Sequence, residues 1–237
     1  MPISKIHVDA ILFDMDGTLI DSTAGINGAW EIFHKDYPHM DMDKVLSTAH
    51  GFRTVDNLRI HCGLTDPEII EKEAERFETA IIEAARQPGS QGIVKLPGVK
   101  EIMDELAPAR HLPKPLWAVC TSATRKYASP AIAAAGIAEP DVFIRSEDVE
   151  RGKPNPDPYL EGAHGCGVSP DKCVVVEDTP PGIRAGIAAG AITIGLLTTH
   201  SREAMLAANP AYLVKDLSSV TVKRSPEGGV DLTIDHE

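Results

Sequence analysis

The sequence predicts an α/β protein, a doubly wound, Rossmann-like parallel sheet core with an inserted all-helical cap domain. Two patterns carry that reading. Short apolar runs rich in Val and Ile stop abruptly on polar residues, as fully buried parallel strands do, and helical stretches separate them. The alternation breaks once, over residues 22–91, where helical periodicity continues without a convincing strand. The expected division is a core of residues 1–21 and 92–237 and a cap of residues 22–91, with hinges at Asp21–Ser22 and Gln87–Gly92.

Taken in order, the first strand is Ala10–Phe13, ended by Asp14. In the cap, Trp30 and Phe33 mark an amphipathic helix over 25–37, and shorter helices fit 43–49 and 55–60. Ile70, Ala74, Phe77, Ile81 and Ala84 step by 4, 3, 4 and 3, one apolar stripe on a long helix. Asp66–Pro67 supplies its cap and first-turn proline. Past the cap, a helix over 99–106 leads to the strand Leu116–Cys120, ended by Thr121. A helix over 128–135 leads to the run Val142–Ile144, and one over 157–162 leads to the strand Cys173–Val176, ended by Glu177. A helix over 183–189 follows. Near the end, Val220–Val222 and Val230–Ile234 flank Ser225–Gly229 as an exposed hairpin.

Composition bounds the function. Of 237 residues, 43% are hydrophobic and 24% charged, enough for a sizeable core and incompatible with global disorder. Basic residues number 23 against 35 acidic, and a net charge of −12 argues against a nucleic-acid partner, which needs an electropositive face. No apolar stretch approaches the ~20 residues of a membrane span. Cys62, Cys120, Cys166 and Cys173 sit far apart with no Cys-x-x-Cys pair, so buried free thiols in a reducing cytoplasm are expected.

Four strand ends and loops carry chemistry. Asp14-Met15-Asp16-Gly17-Thr18 sets two carboxylates beside a glycine, which alone reads equally well as a strand followed by an Asp–Gly turn. Thr121-Ser122, Gly152-Lys153-Pro154 and Glu177-Asp178 each have a bland reading too: a capped helix start, a solvated lysine, an acidic loop. In doubly wound sheets ligands bind beyond the carboxyl ends of the strands, where these residues fall. Together they suit phosphoryl transfer. Four acids facing a phosphate dianion would repel it without a lysine and a hard divalent cation, and oxygen-only ligands select Mg²⁺ over zinc.

In this order and spacing the motifs resemble the haloacid dehalogenase superfamily of aspartyl phosphatases, over roughly Val8 to Leu197. The resemblance implies that Asp14 is the nucleophile and that Asp16 is the general acid and base. It implies that Thr121 and the Ser122 backbone bind phosphoryl oxygens, and that Lys153 neutralises charge on Asp14 and the phosphate. Asp14, Asp178 and the Asp16 carbonyl would hold Mg²⁺, with Glu177 as a support or a water-mediated contact. Within the superfamily, His50-Gly51-Phe52-Arg53-Thr54, Trp117–Ser122, Gly152–Tyr159 and Glu177–Ile183 are similar to fungal glycerol-3-phosphate and 2-deoxyglucose-6-phosphate phosphatases. That similarity makes His50 and Arg53 candidates to read the leaving group of a small phosphorylated metabolite; otherwise they are a helix-end histidine and a helix-start arginine.

The competing reading is a sugar phosphomutase like β-phosphoglucomutase. Its motif usually has valine where this chain has Thr18, and its cap-hinge histidine aligns with Ile26, which moves no proton. A catalytically silent binding protein on the same fold would lack one of the chemical positions, and none is missing. A monomer with no membrane partner is expected.

Overall fold

The computed structural model describes residues 2–111 and 113–236. The chain opens with β1 (Ile3–Val8) and β2 (Ala10–Phe13) and turns into the two-residue β3 (Ile20–Asp21). Four helices follow: α1 (Thr23–Asp36), α2 (Met42–Thr48), α3 (Thr54–Cys62) and α4 (Pro67–Ala85). β4 (Val94–Lys95) returns and pairs antiparallel with β3, so entry to and exit from the helical insert run side by side. The rest alternates: α5 (Val99–Leu106), β5 (Trp117–Cys120), α6 (Arg125–Ala134), β6 (Phe143–Ile144), α7 (Asp157–Gly165), β7 (Cys173–Glu177), α8 (Pro180–Ala189), β8 (Ile192–Leu196), α9 (Arg202–Ala207) and β9 (Tyr212–Val214). A hairpin of β10 (Val220–Arg224) and β11 (Val230–Asp235) ends the fold.

Six strands form one parallel sheet in the order β6-β5-β2-β7-β8-β9. β2 lies at its centre with all four residues buried, and the chain builds outward first on one side and then on the other. A parallel sheet covered on both faces needs such uninterrupted apolar strands. Phe13 is level with Val119 on β5 and Val176 on β7. Asp14 and Glu177 therefore leave adjacent strands at one height, and Thr121 stands one residue further along. The Asp14 N–H holds that alignment by donating to the Val176 carbonyl at 3.0 Å.

The insert has its own core. Trp30 and Phe33 of α1 pack on Phe77 of α4, with ring centroids 4.3 and 5.0 Å apart. α4 starts where the sequence places it, because the Asp66 carboxylate accepts from the Glu68 and Ile69 N–H groups ahead of Pro67. No strand falls between β3 and β4 among the described residues, so the α/β core carries an all-helical cap.

Two features differ from expectation. β1 pairs antiparallel with β11, making a three-stranded sheet β1-β11-β10 that the sequence does not announce. Ile3 is exposed and only Val8 of β1 is buried, so alternation is weak and the pairing comes from the far end of the chain. The hairpin is also exposed on one face only: Val220, Val222, Val230, Leu232 and Ile234 join the main core. Cys62, Cys120, Cys166 and Cys173 are buried and free. No helix among the described residues is long and apolar enough to cross a membrane.

Candidate active site

The carboxyl ends of β5, β2 and β7 bring the motif residues to one place. Gly17 makes the first turn possible. It sits at φ +87°, and a Cβ there would lie 2.2 Å from Asp178 Oδ2. The turn after β2 therefore packs directly on the acidic end of β7, and Thr18 Oγ1 donates to Asp178 Oδ1 at 3.1 Å.

Lys153 is buried between two acids, its Nζ 2.5 Å from Asp14 Oδ1 and 2.7 Å from Glu177 Oε1. Burial would strip its proton, but Asp14 and Glu177 hold it well above the ordinary lysine value, so it is a fixed cation. Glu177 is fully committed. Oε1 accepts from Lys153 and the Tyr159 hydroxyl, and Oε2 accepts from the Thr179 N–H and hydroxyl at 2.9 and 2.8 Å. Burial works against its ionisation, yet Lys153 and the Thr179 donors keep it below the usual carboxylate range.

Asp14, Glu177 and Asp178 offer oxygens that all lie within 4.8 Å of one another. Three buried acids face one buried ammonium, and the surplus negative charge shows at Asp14 and Asp178. Burial pushes Asp14 well above its ordinary value, and burial with Glu177 nearby pushes Asp178 up to about 7. A hard divalent cation fits both the charge deficit and the all-oxygen donor set.

Asp16 stands apart from that cluster. Its Oδ1 accepts from Ser22 Oγ and from the Tyr127 hydroxyl, each at 2.6 Å, and its side chain lines the cavity under the helical insert. Burial pushes its carboxyl above the ordinary value, so it holds its proton more firmly, and those two donors oppose the shift. Thr121 Oγ1 accepts the Ala123 N–H at 3.1 Å, which leaves its own O–H free to donate into the cavity. The Ser122 hydroxyl is spent on the Gly51 carbonyl at 2.9 Å, so only its main chain can serve a ligand.

The two insert candidates separate. His50 lines the cavity, with Nδ1 3.7 Å from Asp178 Oδ2. Arg53 does not. Its Nε pairs with Asp56 at 2.9 Å and its Nη1 donates to the Glu150 carbonyl, placing it in a separate groove over Gly152. The local (i, i+3) acid and the loop carbonyl capture the guanidinium before it can turn inward. The cavity that Arg53 was expected to serve has no Lys or Arg among its described lining residues.

Tyr127 and Glu78 also line this cavity, and the sequence motifs do not single them out. Tyr127 lies in the first turn of α6. Glu78 lies on α4, 1% exposed, and burial pushes its carboxyl up to about 7. Its signal was legible as a charge set beside Phe77 in the apolar stripe.

Comparison with known proteins bears on this geometry. The sequence model for the haloacid dehalogenase-like hydrolases matches residues 8–190, well over half of the chain. The chain belongs to that family. Glycerol-1-phosphate phosphohydrolase 2 of Saccharomyces cerevisiae is 35% identical over 226 residues, covering 92% of this chain and 86% of that protein. Hexitol phosphatase A of Escherichia coli is 36% identical over 220 residues, covering 92% and 96%. A haloacid dehalogenase hydrolase of Entamoeba histolytica superposes with a TM-score of 0.75 at 23% identity, covering 90% of this chain and 95% of that one, a likeness of fold. This haloacid dehalogenase-like chain is thus a hydrolase whose curated relatives include phosphatases.

Proposed function

We propose that the chain is a Mg²⁺-dependent phosphatase of a small phosphorylated polyol or sugar, working through an aspartyl-phosphate on Asp14. The observation that carries it is the contact of Lys153 with Asp14, which lines one cavity together with Asp16 and Thr121. The relatives named for glycerol 1-phosphate and hexitol phosphatase activity, similar over 92% of the chain, support the substrate class. The division into a core of residues 1–21 and 92–237 and a cap of residues 22–91 belongs to this reading, and the paired β3 and β4 support hinges there.

Asp14 attacks phosphorus while the bond from phosphorus to the ester oxygen breaks, and Asp16 gives that oxygen its proton. Thr121 donates its free O–H to a phosphoryl oxygen, and Lys153 balances charge on Asp14 and the phosphoryl group. Asp16 then takes a proton from the water that attacks phosphorus, the bond to Asp14 breaks, and inorganic phosphate leaves. Asp14, Asp178 and the Asp16 carbonyl would hold Mg²⁺, which supplies charge neutralisation between phosphate and carboxylates. Glu177 fixes Lys153 rather than serving as a main ligand, since both of its oxygens are already hydrogen-bonded.

The mutase reading fits less well. A sugar 1-phosphate can become its 6-phosphate only if the site accommodates a second phosphate, and the cavity offers no Lys or Arg among its described lining residues. Ile26 also lines it and cannot carry a proton. A monomer in the reducing cytoplasm completes the proposal; the four buried free thiols support the reducing compartment.

The test is inorganic phosphate release with Mg²⁺ from glycerol 1-phosphate, a hexitol phosphate, 2-deoxyglucose 6-phosphate and β-glucose 1-phosphate. Release that EDTA and Asp14→Asn both abolish is the expected result. Consumption of glucose 1-phosphate without release would establish a mutase instead.

A further inference from the structure

Tyr127 is a buried phenol, 2% exposed, whose hydroxyl donates to Asp16 Oδ1. Ser22 Oγ donates to that same oxygen. Two hydroxyl donors on Oδ1 leave Oδ2 with no hydrogen-bond partner among the described residues, on a side chain that lines the cavity. The two oxygens of Asp16 are therefore unequal: Oδ1 is the acceptor that receives charge, and Oδ2 is the atom that can hold and pass a proton.

The phenol is itself anchored from across the cavity. Glu78 accepts from the Thr124 N–H at 3.2 Å and also from the Thr124 hydroxyl, while Thr54 Oγ1 of α3 donates to it at 3.0 Å. Thr124 is the residue ahead of α6, and its carbonyl receives the Tyr127 N–H at 3.2 Å and the Ala128 N–H at 2.8 Å. A carboxylate of α4 thus seats the first turn of α6, and that turn aims the phenol.

We propose that Tyr127 is a positioning residue that fixes the Asp16 carboxyl for proton delivery from Oδ2, and that Glu78 ties this arrangement to the seated helical insert through Thr124. The proposal rests on Asp16 being the acid of the phosphatase proposed above. As phosphorus bonds to Asp14 and its bond to the ester oxygen breaks, the Oδ2 proton moves to that oxygen. The carboxylate left behind gathers its charge on Oδ1, against the two hydroxyls that already point there. An insert that is not seated would leave α6, and with it the acid, less well held.

The test compares kcat/KM for glycerol 1-phosphate, whose alkoxide needs a proton to leave, with that for p-nitrophenyl phosphate, whose phenolate does not. This parameter covers the steps through phosphoryl transfer and is blind to the later hydrolysis. Tyr127→Phe should lower the glycerol-phosphate to nitrophenyl-phosphate ratio on the order of tenfold, a part of the 10²–10⁴ that general acids contribute. Glu78→Ala, or Thr124→Val if that variant does not fold, should lower the ratio in the native background and no further in the Tyr127→Phe background. An unchanged ratio in Tyr127→Phe, with both esters losing alike, would overturn the positioning role. Independent, multiplying losses would overturn the tie to Glu78. If the native enzyme with Mg²⁺ released phosphate from neither ester, the phosphatase reading would fail and this proposal with it.

Discussion

Lys153 Nζ and Asp14 Oδ1 meet 2.5 Å apart at the end of the central strand, with the lysine side chain wholly buried. A buried ammonium persists only when acids surround it, and here Asp14 and Glu177 both do. The pair places a cation on the carboxylate proposed to attack phosphorus.

Lys153→Met should therefore abolish turnover and weaken the fold together. The substitution leaves Asp14 and Glu177 buried without their partner, which costs about 3–5 kcal/mol when one member of a buried pair is lost. Phosphate release and a urea unfolding midpoint measure the two effects. Native stability in the variant would mean that the acids find another partner.

Gly182 is required for packing rather than for backbone freedom. A Cβ there would stand 1.7 Å from Glu177 Oε1, at the start of α8 where Thr179 caps the helix. Gly182→Ala should push Glu177 off Lys153, costing about 1–3 kcal/mol by overpacking and lowering kcat more than tenfold. Thermal melting and steady-state kinetics check it; a fully active variant would show that Glu177 can move freely.

Glu78 should give the fold a measurable pH slope. Burial raises its carboxyl from 4.5 to about 7, with Glu147 adding to the rise and the Thr124 and Thr54 donors opposing it. Between those two values the folded protein holds a proton that the unfolded chain has released. Stability contributed by this group is therefore present at low pH and falls as pH rises through 4.5 to 7, by on the order of 3 kcal/mol. Glu78→Gln should flatten that part of the curve in urea titrations from pH 4 to 8. An identical slope in the variant would refute the assignment.

The leaving group should be uncharged. The cavity is lined by Asp16 and Glu78 and, among described residues, by no Lys or Arg. A phosphoester bearing a second anionic group, such as a phosphoglycerate, should show kcat/KM at least about tenfold below that of glycerol 1-phosphate, since like charges in such a site repel. Equal efficiency for the two would mean that Arg53 or another cation swings in.

What the sequence determined by itself was local. Val and Ile runs ending on Asp14, Thr121 and Glu177 announced buried parallel strands, and Asp66–Pro67 with the stripe from Ile70 to Ile81 announced the long insert helix. Apolar period and helix capping act over a few residues, so they can be read from the order of the chain. The motif residues could be listed for the same reason. Which of them touch was decided only by tertiary structure. Lys153 reaches Asp14 across 139 residues and Tyr127 reaches Asp16 across 111, while Arg53 turns away to a near neighbour, Asp56. β1 likewise waits for β11 to complete its pairing. A buried hydrogen bond depends on what desolvates and faces each group once the sheet has stacked its strands, and that is a property of the packed chain rather than of any stretch of it.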